Sequence, residues 1–351
     1  VKKQKQWYHI LQTCTFIAIM KEHINTLDFL RGIAALGIVS LHFTLTSLMT
    51  IEPNLLTDIF FYGRYGVHVF FVISGFIIPY SMVKSNYIIS DYFNYLSRRF
   101  VRICLPSYAS ILLTFLLYYT VVLILGRQIN NFQWPEINFT SIIGNLTYTV
   151  PYLDTLWFNP VYWTLAIEFQ FYLIIGLILP LILKKNHLLT LSLLIIPLIL
   201  GRYIPVQSFF TYASFFILGI CLFLKKEKLL PNKLNYLLLF ITLYSLFLYK
   251  SYAALIFALI AFFVLLSEVK IDTKYTNFLG KISYSIYITH YLMEILFEVF
   301  AKRFIDIHLY PIGRFTLLLI YLPIVILFST LFYKYVEQPF TLYSKKLKKS
   351  R

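Results

Sequence analysis

Three side chains in this sequence have the types and spacing for proton transfer inside an apolar environment: Arg31, His42 and Glu168. The first two lie in the run LDFLRGIAALGIVSLHFTLTSLM, residues 27–49, which has the roughly 20 apolar residues that a helix needs to cross a bilayer. At about 100° per residue they fall within about 20° of one helix face, about 16 Å apart along the axis. A cation and an imidazole on one face of a spanning helix mark a polar stripe that points into the protein rather than at lipid. Glu168 sits in WTLAIEFQFYL with no basic residue at i±3 or i±4, so its charge needs a partner from another helix. Rise per residue puts His42 about 22 Å from one edge of the layer and Glu168 about 10 Å from the other, the same level in a core of roughly 30 Å. His42 is therefore the expected partner. Such a pair suits general acid/base work, and a structural His–Glu ion pair is the simpler alternative.

A second constellation is cationic. Arg98, Arg99 and Arg102, in SRRFVR, stand just before an apolar run, and Arg31 belongs near the same surface. Flanking positive charge explains one or two of them; together they suit a polyanionic, phosphate-bearing ligand, because the guanidinium fork matches phosphate geometry. Ser74-Gly75, in the middle of residues 65–83, reads either as a place where substrate nears the backbone or as a small-residue helix contact. Tyr284, Tyr287, His290 and Glu294 share one later run; they line the same cavity or satisfy one another. Glu337, before Pro339, is expected to partner a surface arginine. The longest loop, residues 127–160, contains Asp154 and Trp157 as candidate acceptor contacts. Tyr148, Tyr152, Trp157, Tyr162 and Trp163 read most simply as an interfacial aromatic belt. Asn138 and Asn145 match the glycosylation pattern by chance. No Gly-rich nucleotide loop, zinc-ligand spacing or hydrolase elbow occurs.

The elements that must position these groups are membrane helices. Of 351 residues 59% are hydrophobic and 13% charged, with mean hydropathy +0.74, far from a soluble domain. The net charge of +16 is split into short clusters between apolar runs, which argues for membrane topology and against nucleic-acid binding. Ten spans are expected, at residues 27–49, 65–83, 105–126, 161–183, 187–204, 208–224, 234–249, 252–267, 282–300 and 314–336: an all-α polytopic bundle. Lys and Arg concentrate in alternate loops and in the KKLKKSR tail, so both termini are expected in the cytoplasm. Residues 1–26 read as a cytoplasmic extension, with Met20 the expected natural start; 27–340 as the transmembrane domain; 341–351 as a basic tail. Cys14, Cys104 and Cys221 share no redox or metal spacing.

The segments LDFLRGIAALGIVSLHF, VHVFFVISGFII, RRFVRICLPSY, YWTLAIEFQFYL, LGKISYSIYITHYL and YVEQPF resemble, in order and spacing, the membrane-bound acyltransferase 3 family, over about residues 27–340. The resemblance implies a ten-helix enzyme of the bacterial inner membrane that moves an acyl group, usually acetyl, from acyl-CoA to a hydroxyl of an extracytoplasmic glycan or glycolipid. It implies no permanently bound cofactor. It also implies catalytic roles for Arg31, His42 and Glu168, and coenzyme A binding at Arg98 and Arg99. Many members carry a further extracytoplasmic esterase-like domain; here the expectation is a separate transfer protein or none. A covalent acyl intermediate on Ser74 or Tyr287 is an alternative to direct transfer. A transporter or flippase is the rival function, and would be expected to show internal repeats or broken helices.

Overall fold

The computed structural model describes residues 26–46, 55–125, 137–204, 207–249, 251–267, 269, 271–304 and 311–347. The expectations for the chain start and Met20 lie outside these. The described residues are helical and contain no strand. Helix α1 covers 26–41 and continues into a π-helical turn, His42–Thr46. There follow α2 (Leu55–Phe61), α3 (Gly66–Lys84), α4 (Tyr92–Leu125), α5 (Phe139–Thr147), α6 (Trp163–Ile182), α7 (His187–Leu200), α8 (Phe209–Lys226), α9 (Asn232–Leu248), α10 (Tyr252–Leu266), α11 (Lys274–Phe304), α12 (Pro311–Phe332), a second π turn (Tyr333–Glu337) and α13 (Gln338–Lys346).

Each of the ten expected runs falls on a helix. Among the described residues, six helical segments are long and apolar enough to cross a membrane: Thr26–Thr44, Leu55–Lys84, Ile89–Leu123, Pro160–Ile182, Phe209–Lys226 and Thr316–Lys346. Helices α7, α9 and α10 are apolar but shorter, at 14, 17 and 15 residues, or about 21–26 Å. Helix α4 begins well before the expected 105. Its 34 residues extend about 51 Å, so Arg98, Arg99 and Arg102 sit in a helix that projects past a 30 Å core, not in a loop before one.

Two packed clusters build the bundle. One joins α1, α11 and α12 through Ala35, Val39, Phe43, Ile286, Leu318 and Tyr321, with Phe43 stacked on Tyr321 at 4.5 Å. The other gathers α3, α6, α8, α9 and α10. Phe70 packs against both. The backbones of α3 and α8 nearly touch, because a Cβ on Gly75 would lie 2.0 Å from the Phe216 carbonyl oxygen. Of the two readings of Ser74-Gly75, helix packing thus belongs to Gly75. Similarly, α11 lies on α1 at Gly280, where a Cβ would come within 2.3 Å of Asp28.

Two tyrosines flanking the loop before α6 are buried, not interfacial. Tyr162 has no exposed surface and donates to the Ser107 carbonyl at 3.0 Å; Tyr148 is 4% exposed, its hydroxyl 2.6 Å from Ser107 Oγ. The belt reading therefore fails for both. A phenol that finds a partner inside a bundle has no need of the water interface. Asn145 is also fully buried, accepting from the Phe158 amide and donating to the Ser141 and Leu156 carbonyls, and Asn138 caps α5 through the Ser141 amide.

Candidate active site

A cavity of about 720 Å³ lies between the two clusters, lined from α1, α3, α4, α6, α11, the second π turn and α13. Arg31, Arg99, Arg102, Lys281 and Lys345 face it against three carboxylates, Asp28, Glu168 and Glu337. The cavity is thus net cationic when all are ionised. Arg102 lies deep among protein atoms yet is exposed, because the space it faces is the cavity. Glu337 accepts from Ser285 Oγ at 2.6 Å, with Arg102 and Arg31 near enough to act on it through their charge.

Glu168 takes a partner that spacing on its own helix could not reveal. Ser74 Oγ donates to its Oε1 at 2.7 Å, and Tyr172, one turn along α6, lies close enough to interact electrostatically with the same carboxylate. Both residues line the cavity. Ser74 thus faces the cavity while Gly75 packs on α8, since neighbouring residues on a helix point to different faces.

At one end of the cavity stands Tyr287. Its hydroxyl donates to the Val161 carbonyl at 2.7 Å and pairs with Thr164 Oγ1 at 2.5 Å, and its ring lies 6.2 Å from Phe70 and 5.8 Å from His290. The His290 ring is in turn 5.1 Å from that of His42. The two histidines do not line the cavity; they are one ring and two rings past Tyr287. Nδ1 of His290 approaches the carbonyls of Tyr287 at 2.7 Å and Ile286 at 3.2 Å. A carbonyl only accepts, so Nδ1 carries the proton and Nε2 the lone pair. That Nε2 is buried and has no hydrogen-bond partner among the described residues. Asn159, from the loop before α6, donates to the Ile288 carbonyl at 3.2 Å, which brings that loop onto α11 beside His290.

The arginines divide. Arg99 lies over the rings of Tyr95 and Tyr172, 5.6 and 5.3 Å from their centroids, and it and Arg102 face the cavity. Arg98 instead turns its fork to the Leu347 carbonyl, Nε donating at 2.9 Å and Nη2 to the same oxygen. Asp154 is exposed, with a left-handed backbone (φ 45°), and Trp157 packs by Tyr148, 6.4 Å between rings; neither lines the cavity. Tyr172, Thr164, Ser285, Lys281 and Lys345 are cavity or site residues that sequence reasoning missed. Of these, Tyr172 alone carried a signal, its i+4 spacing from Glu168.

The site thus combines a cationic chamber with an aromatic threshold and two buried imidazoles, each histidine on a different helix of the cluster formed by α1, α11 and α12. No solved structure matches the chain. A protein of the Acidianus two-tailed virus named "Putative acetyltransferase ORF330" is 26% identical over 297 residues, which cover 77% of this chain and 83% of that protein. The acyltransferase 3 family model, described as an acyltransferase domain, matches residues 24–334, a segment that contains Arg31, His42, Ser74, Arg99, Arg102, Glu168, Tyr287 and His290. This all-helical membrane protein belongs to that family of acyltransferases.

Proposed function

We propose that the protein is a cytoplasmic-membrane O-acyltransferase, taking an acyl group, acetyl in the first instance, from acyl-CoA and delivering it to a hydroxyl of an extracytoplasmic glycan or glycolipid. The observation that carries this reading is the continuity of the site: the cationic cavity ends at Tyr287, whose ring touches His290, whose ring touches His42. Arg99 and Arg102 hold the diphosphate of coenzyme A, supported by Arg31, since charge-assisted bonds to phosphate are the strong ones. The pantetheine arm follows the α1 stripe from Arg31 toward His42. Glu168, held by Ser74, has lone pairs left for the amide N–H groups of that arm.

The histidine pair then acts as base. An imidazole nitrogen removes the acceptor hydroxyl proton, the oxygen attacks the thioester carbonyl, the C–S bond breaks, and the departing thiolate takes the proton to leave as free coenzyme A. The products are an O-acyl ester and the thiol, with no net proton change. Acceptor reaches the pair from the loop that contains Asp154, Trp157 and Asn159. In this topology the ten helices span the membrane with both termini, and so Arg99, Arg102 and Lys345, in the cytoplasm. A transporter reading leaves the family membership without a use.

The test is thiol release by purified protein from acetyl-CoA, with and without total envelope glycan of the source cells. Release that depends on acceptor is expected, with label from the acetyl group appearing as alkali-labile ester. Intact acetyl-CoA in the presence of that glycan overturns the reading.

A further inference from the structure

Beside the main cavity lies a second pocket of about 240 Å³, whose lining includes Asp91, Tyr95 and Arg98. It shares Arg99, Arg102 and Lys345 with the cavity, so a single ligand can occupy both. Arg98 fixes this junction through its guanidinium. By bonding the Leu347 carbonyl it ties the end of α13 to α4 and so sets Lys345 over the shared wall. Two polar atoms on the pocket's lining residues are buried without a hydrogen-bond partner among the described residues, Asp91 Oδ1 and the Tyr95 hydroxyl. The other Asp91 oxygen is committed, accepting from the Ile88 amide at 3.2 Å.

A carboxylate oxygen only accepts, whereas Lys345 and Arg99 only donate and bring positive charge. The pocket therefore suits a ligand that presents a hydrogen-bond donor to Asp91 and an anion to Lys345. A nucleoside phosphorylated on its sugar has both. We propose that this pocket is the subsite for the adenosine 3′-phosphate end of the acyl-CoA donor, with Lys345 on the 3′-phosphate and Asp91 accepting from an amino or hydroxyl group of the nucleoside. Asp91 repels phosphate, which fixes the orientation. Lys345 is then a specificity-determining residue for the reaction assigned above, and the proposal rests on that assignment for the ligand's identity.

The experiment compares adenosine 3′,5′-bisphosphate with adenosine 5′-monophosphate by calorimetric titration of the full-length protein in nanodiscs. Wild-type protein is expected to bind the bisphosphate about tenfold or more tightly. Lys345→Ala, at an exposed side chain, brings the two affinities within about twofold; Lys346→Ala, which lines neither space, keeps the preference. A wild-type ratio near one, or an unchanged ratio in Lys345→Ala, overturns the subsite. In turnover, Lys345→Ala raises KM for acetyl-CoA by the same factor at unchanged kcat and leaves 3′-dephospho-acetyl-CoA unaffected. If the nucleotide ratios behave as expected while wild-type protein turns over neither thioester, the subsite stands and the transferase reading falls.

Discussion

His42 and His290 meet ring to ring, 5.1 Å between centroids and tilted by 56°, one from the π turn that ends α1 and the other from the middle of α11. A π turn widens the helix by one residue and re-aims the side chains that follow, and such turns gather at functional sites. If the pair works as one base, either loss disables it. His42→Ala and His290→Ala should each lower kcat by about 10²-fold or more, and the double variant should fall little further, because residues that act as a unit are not additive. KM for acyl-CoA should stay within about twofold. Near-normal turnover in either single variant, at normal membrane insertion, removes that histidine from the mechanism.

Arg98 should act through the C-terminal helix rather than on the donor. Arg98→Ala releases the Leu347 carbonyl, so limited proteolysis should cut residues 341–351 faster and KM for acyl-CoA should rise about tenfold at steady kcat. A raised KM with the tail still protected would mean that the guanidinium touches the donor directly.

The sequence made the helices legible because apolar runs of spanning length leave few alternatives, and each expected run falls on a helix. Arg31 and His42 were legible as a stripe because both lie on one helix, where spacing alone sets the face. What spacing could not supply was contact between helices. Glu168 was expected to meet His42 from an estimate of depth; the contact that holds it, Ser74, depends on how α3 approaches α6. His290 was visible only as a polar residue in a span, because its hydrogen bond to the Tyr287 carbonyl, which fixes the tautomer, is a matter of ring orientation. Lys345 was read as part of a charged tail because nothing in KKLKKSR shows that α13 folds back onto α4.

Glu168 can be tested for charge against shape. Glu168→Gln keeps an oxygen for Ser74 and should melt near the wild-type temperature. Glu168→Leu orphans the Ser74 hydroxyl and should cost about 1–3 kcal/mol of stability. Because the proposed contacts are to the pantetheine amides, the Gln variant should raise KM for acyl-CoA about tenfold. Unchanged kinetics in a stable Gln variant would leave Glu168 a purely structural acceptor.

Packing at the crossing of α3 and α8 is the least forgiving feature of the fold. Gly75→Ala puts a Cβ where the Phe216 carbonyl oxygen stands, 2.0 Å away, and two helix backbones must part to admit it. Strong overpacking of this kind typically costs about 1–3 kcal/mol. Membrane-inserted protein should fall severalfold in Gly75→Ala, with Ser74→Ala much milder. Normal yield and melting temperature in Gly75→Ala would show that α3 and α8 do not cross so closely.

Sidedness carries the mechanism furthest. The proposed topology puts Arg99, Arg102 and Lys345 on the cytoplasmic face, and the loop with Asp154 and Trp157 on the other, so donor and acceptor enter from opposite sides. Asp154→Ala and Trp157→Ala should then raise the acceptor's KM and leave that for acyl-CoA alone, while Arg99→Ala and Arg102→Ala should do the reverse, by about 1.5–3 kcal/mol per charged hydrogen bond lost. In proteoliposomes of known orientation, acetyl-CoA added on the face bearing the C-terminal tail should acylate a glycan confined to the opposite compartment, and detergent should not be needed. Transfer that occurs only when both substrates share one compartment sinks transfer through the membrane. The histidine pair would then serve a site open to one face, and the row from the cavity through Tyr287 and His290 to His42 would have to open sideways between helices rather than end at the outer loop.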